Sequence, residues 1–134
     1  MNNRYLLDSW AFMALFSAEQ PASKRVEHLL LGAADGNVVL FFSIINLGEI
    51  FYLVGRREGI DLAENLTTKI KQLPIQIVPV DEQRVIAAAR YKMTHSISYA
   101  DAFALAAAAE FDAVLATGDP ELWALADVVE VERL

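Results

Sequence analysis

The chain has 134 residues, 55% hydrophobic and 22% charged, enough apolar surface for one globular domain with a real core and too much for a disordered segment. Eleven basic against eighteen acidic residues leave a net charge of −7, which argues against a broad electrostatic grip on nucleic acid, although acids gathered in one place can hold cations that then meet phosphate. The absence of cysteine removes zinc ribbons, thiolate catalysis and disulfide scaffolds, and fits a reducing compartment, of which the cytoplasm is the simplest.

The opening MNNRYLLDSWAFMALFSA places Arg4 ahead of an apolar stretch, as a signal peptide would. Asp8 falls inside that stretch and would have to enter lipid as a charge, so the segment reads as folded sequence. RYLLD (4–8) predicts a short strand closed by an acid, and residues 9–18 and 20–34 predict two helices, with Pro21 near the second start, where a missing N–H is harmless. NVVLFFS (37–43) predicts a buried strand, followed by a helix over 43–57 that opens at Ser43 and ends in GRREG, basic residues and glycines suited to a helix C-terminus. Residues 61–73 predict a helix with Asp61 as N-cap, stopped by Pro74, and IQIVPV (75–80) a strand. Helices over 81–94 and 98–110 open at Asp81 and Ser98. DAVLATGD (112–119) predicts a strand, 120–126 a short helix, and ADVVEVERL (126–134) a last strand whose alternation places it nearer an edge. No apolar run approaches the roughly 18–20 residues of a transmembrane helix. The order β-α-α-β-α-α-β-α-α-β-α-β predicts an α/β, three-layer α/β/α sandwich around a mostly parallel sheet of about five strands, formed by residues 1–134 as a single domain.

Four acids stand where a core or a sheet rim is expected. In an open parallel sheet, ligands meet the carboxyl ends of the strands. Asp8 ends the first strand, and Asp119 follows VLAT by one residue and so projects from the same rim. Asp101 has two readings, since Ser98-x-x-Asp101 matches a capping box, while the helical wheel puts Asp101 on one stripe with Ala104, Leu105 and Ala108, facing the sheet. Glu49 lies between Ile45 and Leu53 in SIINLGEIFYLV, apolar almost all round, which leaves it little solvent face. Arg56 and Arg57 could pair with it, but they lie two turns away. Acids from distant segments converging on one rim need positive charge, and after Lys92 the only cation is Arg133, so a bound divalent metal is the economical compensation. Carboxylate-only sets are hard oxygen ligands suited to Mg²⁺ or Mn²⁺.

Other phosphate chemistries fail on missing parts. Phospho-aspartate receivers and haloacid-dehalogenase-type phosphatases need a late lysine, and the latter a second aspartate where this chain has Trp10. No glycine-rich phosphate loop occurs. His28 and His95 read as ordinary surface or packed histidines, and Trp10, Trp123 and the phenylalanines as core.

Asp8 in YLLDS, Glu49 in INLGEIFY, Asp101 in SYADAFALAAA and Asp119 in LATGDPEL resemble, in order and spacing, the PIN-domain nucleases, and the size is similar to the VapC-type ribonuclease toxins of toxin–antitoxin pairs. The resemblance covers nearly the whole chain. It implies an Mg²⁺- or Mn²⁺-dependent endoribonuclease in which Asp8, Glu49, Asp101 and Asp119 hold the metal or position its water, with Ser9 and Thr117 at the family's supporting hydroxyl positions. It also implies an RNA substrate, a homodimer and a small cognate antitoxin, and no membrane. Trp10 departs from the family pattern, which commonly has a small polar residue there. Two other readings remain open at this point: a PIN-like module that binds RNA or protein without cutting, and a metal-independent structural domain with capped helices.

Overall fold

The structure, a computed structural model, describes residues 2–134. In chain order its elements are β1 (Arg4–Leu7), α1 (Ser9–Phe16), α2 (Ala22–Ala34), β2 (Val39–Ser43), α3 (Ile44–Glu58), α4 (Ile60–Lys71), β3 (Gln76–Val78), α5 (Glu82–Thr94), α6 (Tyr99–Glu110), β4 (Val114–Thr117), α7 (Pro120–Trp123) and β5 (Val131–Arg133).

The strands form one sheet in the order β3-β2-β1-β4-β5, and every pairing is parallel. Both faces of the three central strands are covered, which is why RYLL, VLFFS and VLAT are continuous apolar runs rather than alternating ones. Successive side chains still part to opposite faces. Leu6, Phe41, Val78 and Leu115 pack with Ala88 of α5 and the alanines of α6, whereas Leu7, Leu40, Phe42 and Ala116 pack with α1 to α4. The result is the expected three-layer α/β/α fold. Ala102, Ala104 and Ala108 are buried, and their short side chains let α6 sit close to the sheet.

Caps explain most helix starts. Ser43, Asp81 and Ser98 each accept a backbone N–H of the first turn. Asp61 does not cap α4: Gly59, at φ 97°, ends α3 and also precedes α4, which starts at Ile60 and leaves Asp61 in the first turn, where its charge favours the helix dipole. Pro79 has no N–H to offer a partner strand, and β3 stops at Val78. The last helix and strand are shorter than expected, because backbone bonds from Val128 and Val129 to the Leu125 carbonyl hold that stretch in a turn.

From β1 the chain steps outward through β2 to β3, then returns to place β4 and β5 on the other side of β1. The carboxyl ends of β1 and β4 therefore flank the crevice where strand order reverses. α1 is fixed beside it by Phe12, which is fully buried and meets Phe42 edge-on at 4.7 Å between ring centroids. Phe12→Ala should cost about 3–5 kcal/mol in urea unfolding, with an unchanged denaturant slope.

Candidate metal centre

Asp8 is the first residue beyond β1 and the N-cap of α1. Its carboxylate is 1% exposed, with Oδ1 accepting the Ala11 N–H at 3.0 Å and Oδ2 accepting the Thr117 hydroxyl. Thr117 ends β4 and also accepts the Asp119 N–H at 3.0 Å, so one hydroxyl links the acids that leave the two central strands. Asp119 in turn caps α7 through Oδ1, which accepts the Glu121 N–H at 3.0 Å.

Glu49 sits in the second turn of α3 and is partly buried rather than enclosed, since α3 exposes its Gly48 and Tyr52 side to solvent. Neither Arg56 nor Arg57 pairs with it. Its Oε1 accepts instead from the Ser9 hydroxyl and from Asn46 Nδ2 at 3.3 Å. Asn46 is fully buried, and the same amide nitrogen reaches the Ala100 carbonyl at 3.5 Å, tying α3 to the start of α6. Asp101, in the first turn of α6, gives only its backbone N–H to the cap, at 3.1 Å from Ser98 Oγ. The cap bond is made by the Asp101 backbone, and its carboxylate lines the crevice.

All four acids line one cleft of about 410 Å³, together with Ser9, Trp10, Leu53, Arg57 and Ser98. On the outer lip, Asp101, Asp119 and Glu121 each bring a carboxylate oxygen within 4.8 Å of the other two. Electrostatics records burial first and crowding second. Burial pushes Asp8 up to about 7, against the opposing hydrogen bonds of Thr117 and Ala11, with Asp101 and Asp119 adding to the rise. Burial also raises Asp101 to about 6, helped by Asp119, Glu49 and Glu121 and partly offset by Ser98. No ion pair among the described residues neutralises any of these five acids. A set of oxygen-only donors to which no cation is paired among the described residues fits a hard divalent cation.

A family model described as PIN domain matches residues 5–128. The chain belongs to the PIN domain family. None of the curated proteins matches it. Among solved structures, this PIN domain is similar to VapBC2 from Rickettsia felis bound to a promoter DNA fragment, at TM-score 0.75 and 15% identity over 98% of each chain. It is also similar to Mycobacterium tuberculosis VapC20, described as a Sarcin-Ricin loop cleaving toxin, at TM-score 0.72 and 19% identity over 90% of this chain and 93% of that one. FitAcB from Neisseria gonorrhoeae gives TM-score 0.65 and 23% identity over 95% of both. At such identities the likeness speaks for the fold.

Glu121 and Asn46 escaped the sequence reading. Glu121 could have been found by its spacing, two residues beyond Asp119 with a helix start between them; Asn46 carries no signal in the sequence beyond standing one turn before Glu49. Trp10 and Trp123 are not core as expected but partly buried: Trp10 lines the cleft, and Trp123 donates Nε1–H to the Thr117 carbonyl at 2.7 Å under the Arg133 guanidinium.

Between about pH 4 and 7 the folded, metal-free protein holds a proton on Asp8 that the unfolded chain has lost, so its stability falls as pH rises through that window. Asp8→Asn should flatten this dependence and raise stability at pH 8 by on the order of 2 kcal/mol, read from urea unfolding in EDTA at pH 5 and 8. Asp101→Asn should leave the helix cap intact, while Ser98→Ala loses about 1 kcal/mol in the same assay.

Proposed function

We propose that this PIN domain, residues 1–134, is a divalent-metal-dependent endoribonuclease that hydrolyses phosphodiester bonds in RNA, acting as the toxin of a toxin–antitoxin pair. The observation that carries the reading is the cleft itself, where Asp8, Glu49, Asp101 and Asp119 meet at the switch point of a parallel sheet, with Glu121 beside Asp101 and Asp119 and no cation paired to any of these acids among the described residues. Several solved structures similar in fold are described as a toxin, a toxin–antitoxin complex or a member of a family of toxin–antitoxin systems, which supports the biological half of the proposal.

In this reading Asp8, Glu49, Asp101 and Asp119 are the metal-holding and catalytic acids, joined by Glu121. Mg²⁺ or Mn²⁺ bound among them would lower the pKa of a water and stabilise charge on the phosphate. The protein's own part is to fix the acids before substrate arrives. The Ser9 hydroxyl and Asn46 amide hold the Glu49 carboxylate in one orientation, and Thr117 and the Ala11 N–H do the same for Asp8. Asp8 and Asp101 must give up protons to bind a cation, so affinity should fall as pH drops below about 7. A cytoplasmic setting, a homodimer and a small cognate antitoxin that blocks the cleft complete the reading.

Purified protein incubated with cellular RNA should cleave it with added Mg²⁺ or Mn²⁺ and not in EDTA. Asp8→Asn and Asp101→Asn should each lower the rate by more than about 100-fold with the fold kept by circular dichroism. Hydrolysis that survives both substitutions would remove the site, and RNA binding without cleavage under every divalent ion tried would turn the reading to a non-catalytic module.

A further inference from the structure

The acids account for a cation and the phosphate it meets, but they leave unexplained two other residues in the cleft wall. Trp10 follows Asp8 and Ser9 directly and is only partly buried. A Cβ added to Gly118 would lie 2.2 Å from its Cη2 and 2.3 Å from both Cζ2 and Cζ3. Three ring atoms at nearly equal distance place that point over the flat of the six-membered ring, since a point beyond its edge would be near one atom and far from the next two. The indole is therefore laid against the backbone of Gly118, between Thr117 and Asp119, and Trp10, only partly buried, also lines the cleft. An aromatic ring already immobilised beside a phosphate-binding site loses little side-chain entropy when a base stacks on it.

Arg57 is the second. Glu49, Leu53 and Arg57 repeat every four residues along α3, and all three line the cleft. Arg57 is the one basic residue among the described residues of that lining, and it makes no ion pair there. Its neighbour Arg56 is stacked over Tyr52 at 5.2 Å instead. Eight residues of helix put the Arg57 backbone about 12 Å beyond that of Glu49, placing its guanidinium for a phosphate further along the same strand.

We propose that a single-stranded segment of RNA crosses this cleft with one base stacked on Trp10 and a phosphate neighbouring the scissile one on Arg57. The inference rests on the ribonuclease reading and adds to it the path of the substrate. Duplex RNA, with its bases stacked on one another, cannot offer a face to Trp10, so the site selects unpaired segments.

Random-sequence single-stranded RNA is the probe. In a Trp123→Phe background, the remaining tryptophan fluorescence should be quenched by this RNA in Ca²⁺ and not by inorganic phosphate. In Mn²⁺, Trp10→Leu should raise KM for cleavage about 10-fold or more, with Trp10→Phe restoring most of it and Mn²⁺ affinity unchanged by calorimetry. Arg57→Gln should weaken RNA binding and lower the slope of log affinity against log salt by about one, and Arg56→Gln should do neither. Wild-type cleavage with unaltered KM in both Trp10→Leu and Arg57→Gln, or equal loss in Trp10→Leu and Trp10→Phe accompanied by lost Mn²⁺ affinity, would overturn the path while leaving the nuclease standing. A wild-type protein that neither binds nor cleaves RNA in any divalent ion would overturn both.

Discussion

Mutual repulsion among carboxylates is the constraint around which the rest of the molecule is arranged. Two like charges about 5 Å apart in partly solvated surroundings oppose each other by roughly 3 kcal/mol, comparable to the worth of a buried aromatic side chain. A protein that gathers such groups must keep the buried ones from swinging into water. Here hydrogen bonds between elements far apart in sequence hold two of them, Thr117 to Asp8 across neighbouring strands and Ser9 to Glu49 between α1 and α3, while Asn46 reaches from α3 to the Ala100 carbonyl in α6 at 3.5 Å. Burial first, and the neighbouring acids second, raise the proton affinities of Asp8 and Asp101.

The sheet makes those tethers possible. Parallel strands bring Leu7 level with Ala116, so the residues following β1 and ending β4 emerge side by side. The alanines of α6 draw its N-terminus toward the same rim, and Phe12 against Phe42 fixes α1. Apolar packing on both faces supplies the stability from which the charged rim subtracts, the trade expected when function needs a strained arrangement.

Much of this is legible along the chain because it is local. An acid at the end of an apolar run, Asp8 or Asp119, projects from the sheet rim whatever the tertiary details, and Asp101 heads a stripe of alanines that can only face inward. The three central strands and their parallel order follow from runs too apolar to have a wet face. What escaped depends on which chain segments meet. Asn46 matters because Ala100 lies next to it, and nothing about the residue itself says so. Glu49 has the right helix and the wrong degree of enclosure, since α3 turns its Tyr52 side to water. Asp61 was a plausible cap, but Gly59 at φ 97° turns the chain first and α4 begins one residue earlier. Trp10 has the spacing of a core residue and is diverted to the cleft by a glycine more than a hundred residues away.

That last contact orders what can change. While an indole stands at position 10, any side chain at 118 would have to occupy space within 2.3 Å of its ring atoms. Lineages can therefore lose the ring and later gain a residue at 118, but the reverse sequence of steps passes through a clash. Position 118 is silent about its own role, and its identity is a record of what another segment of the chain has kept.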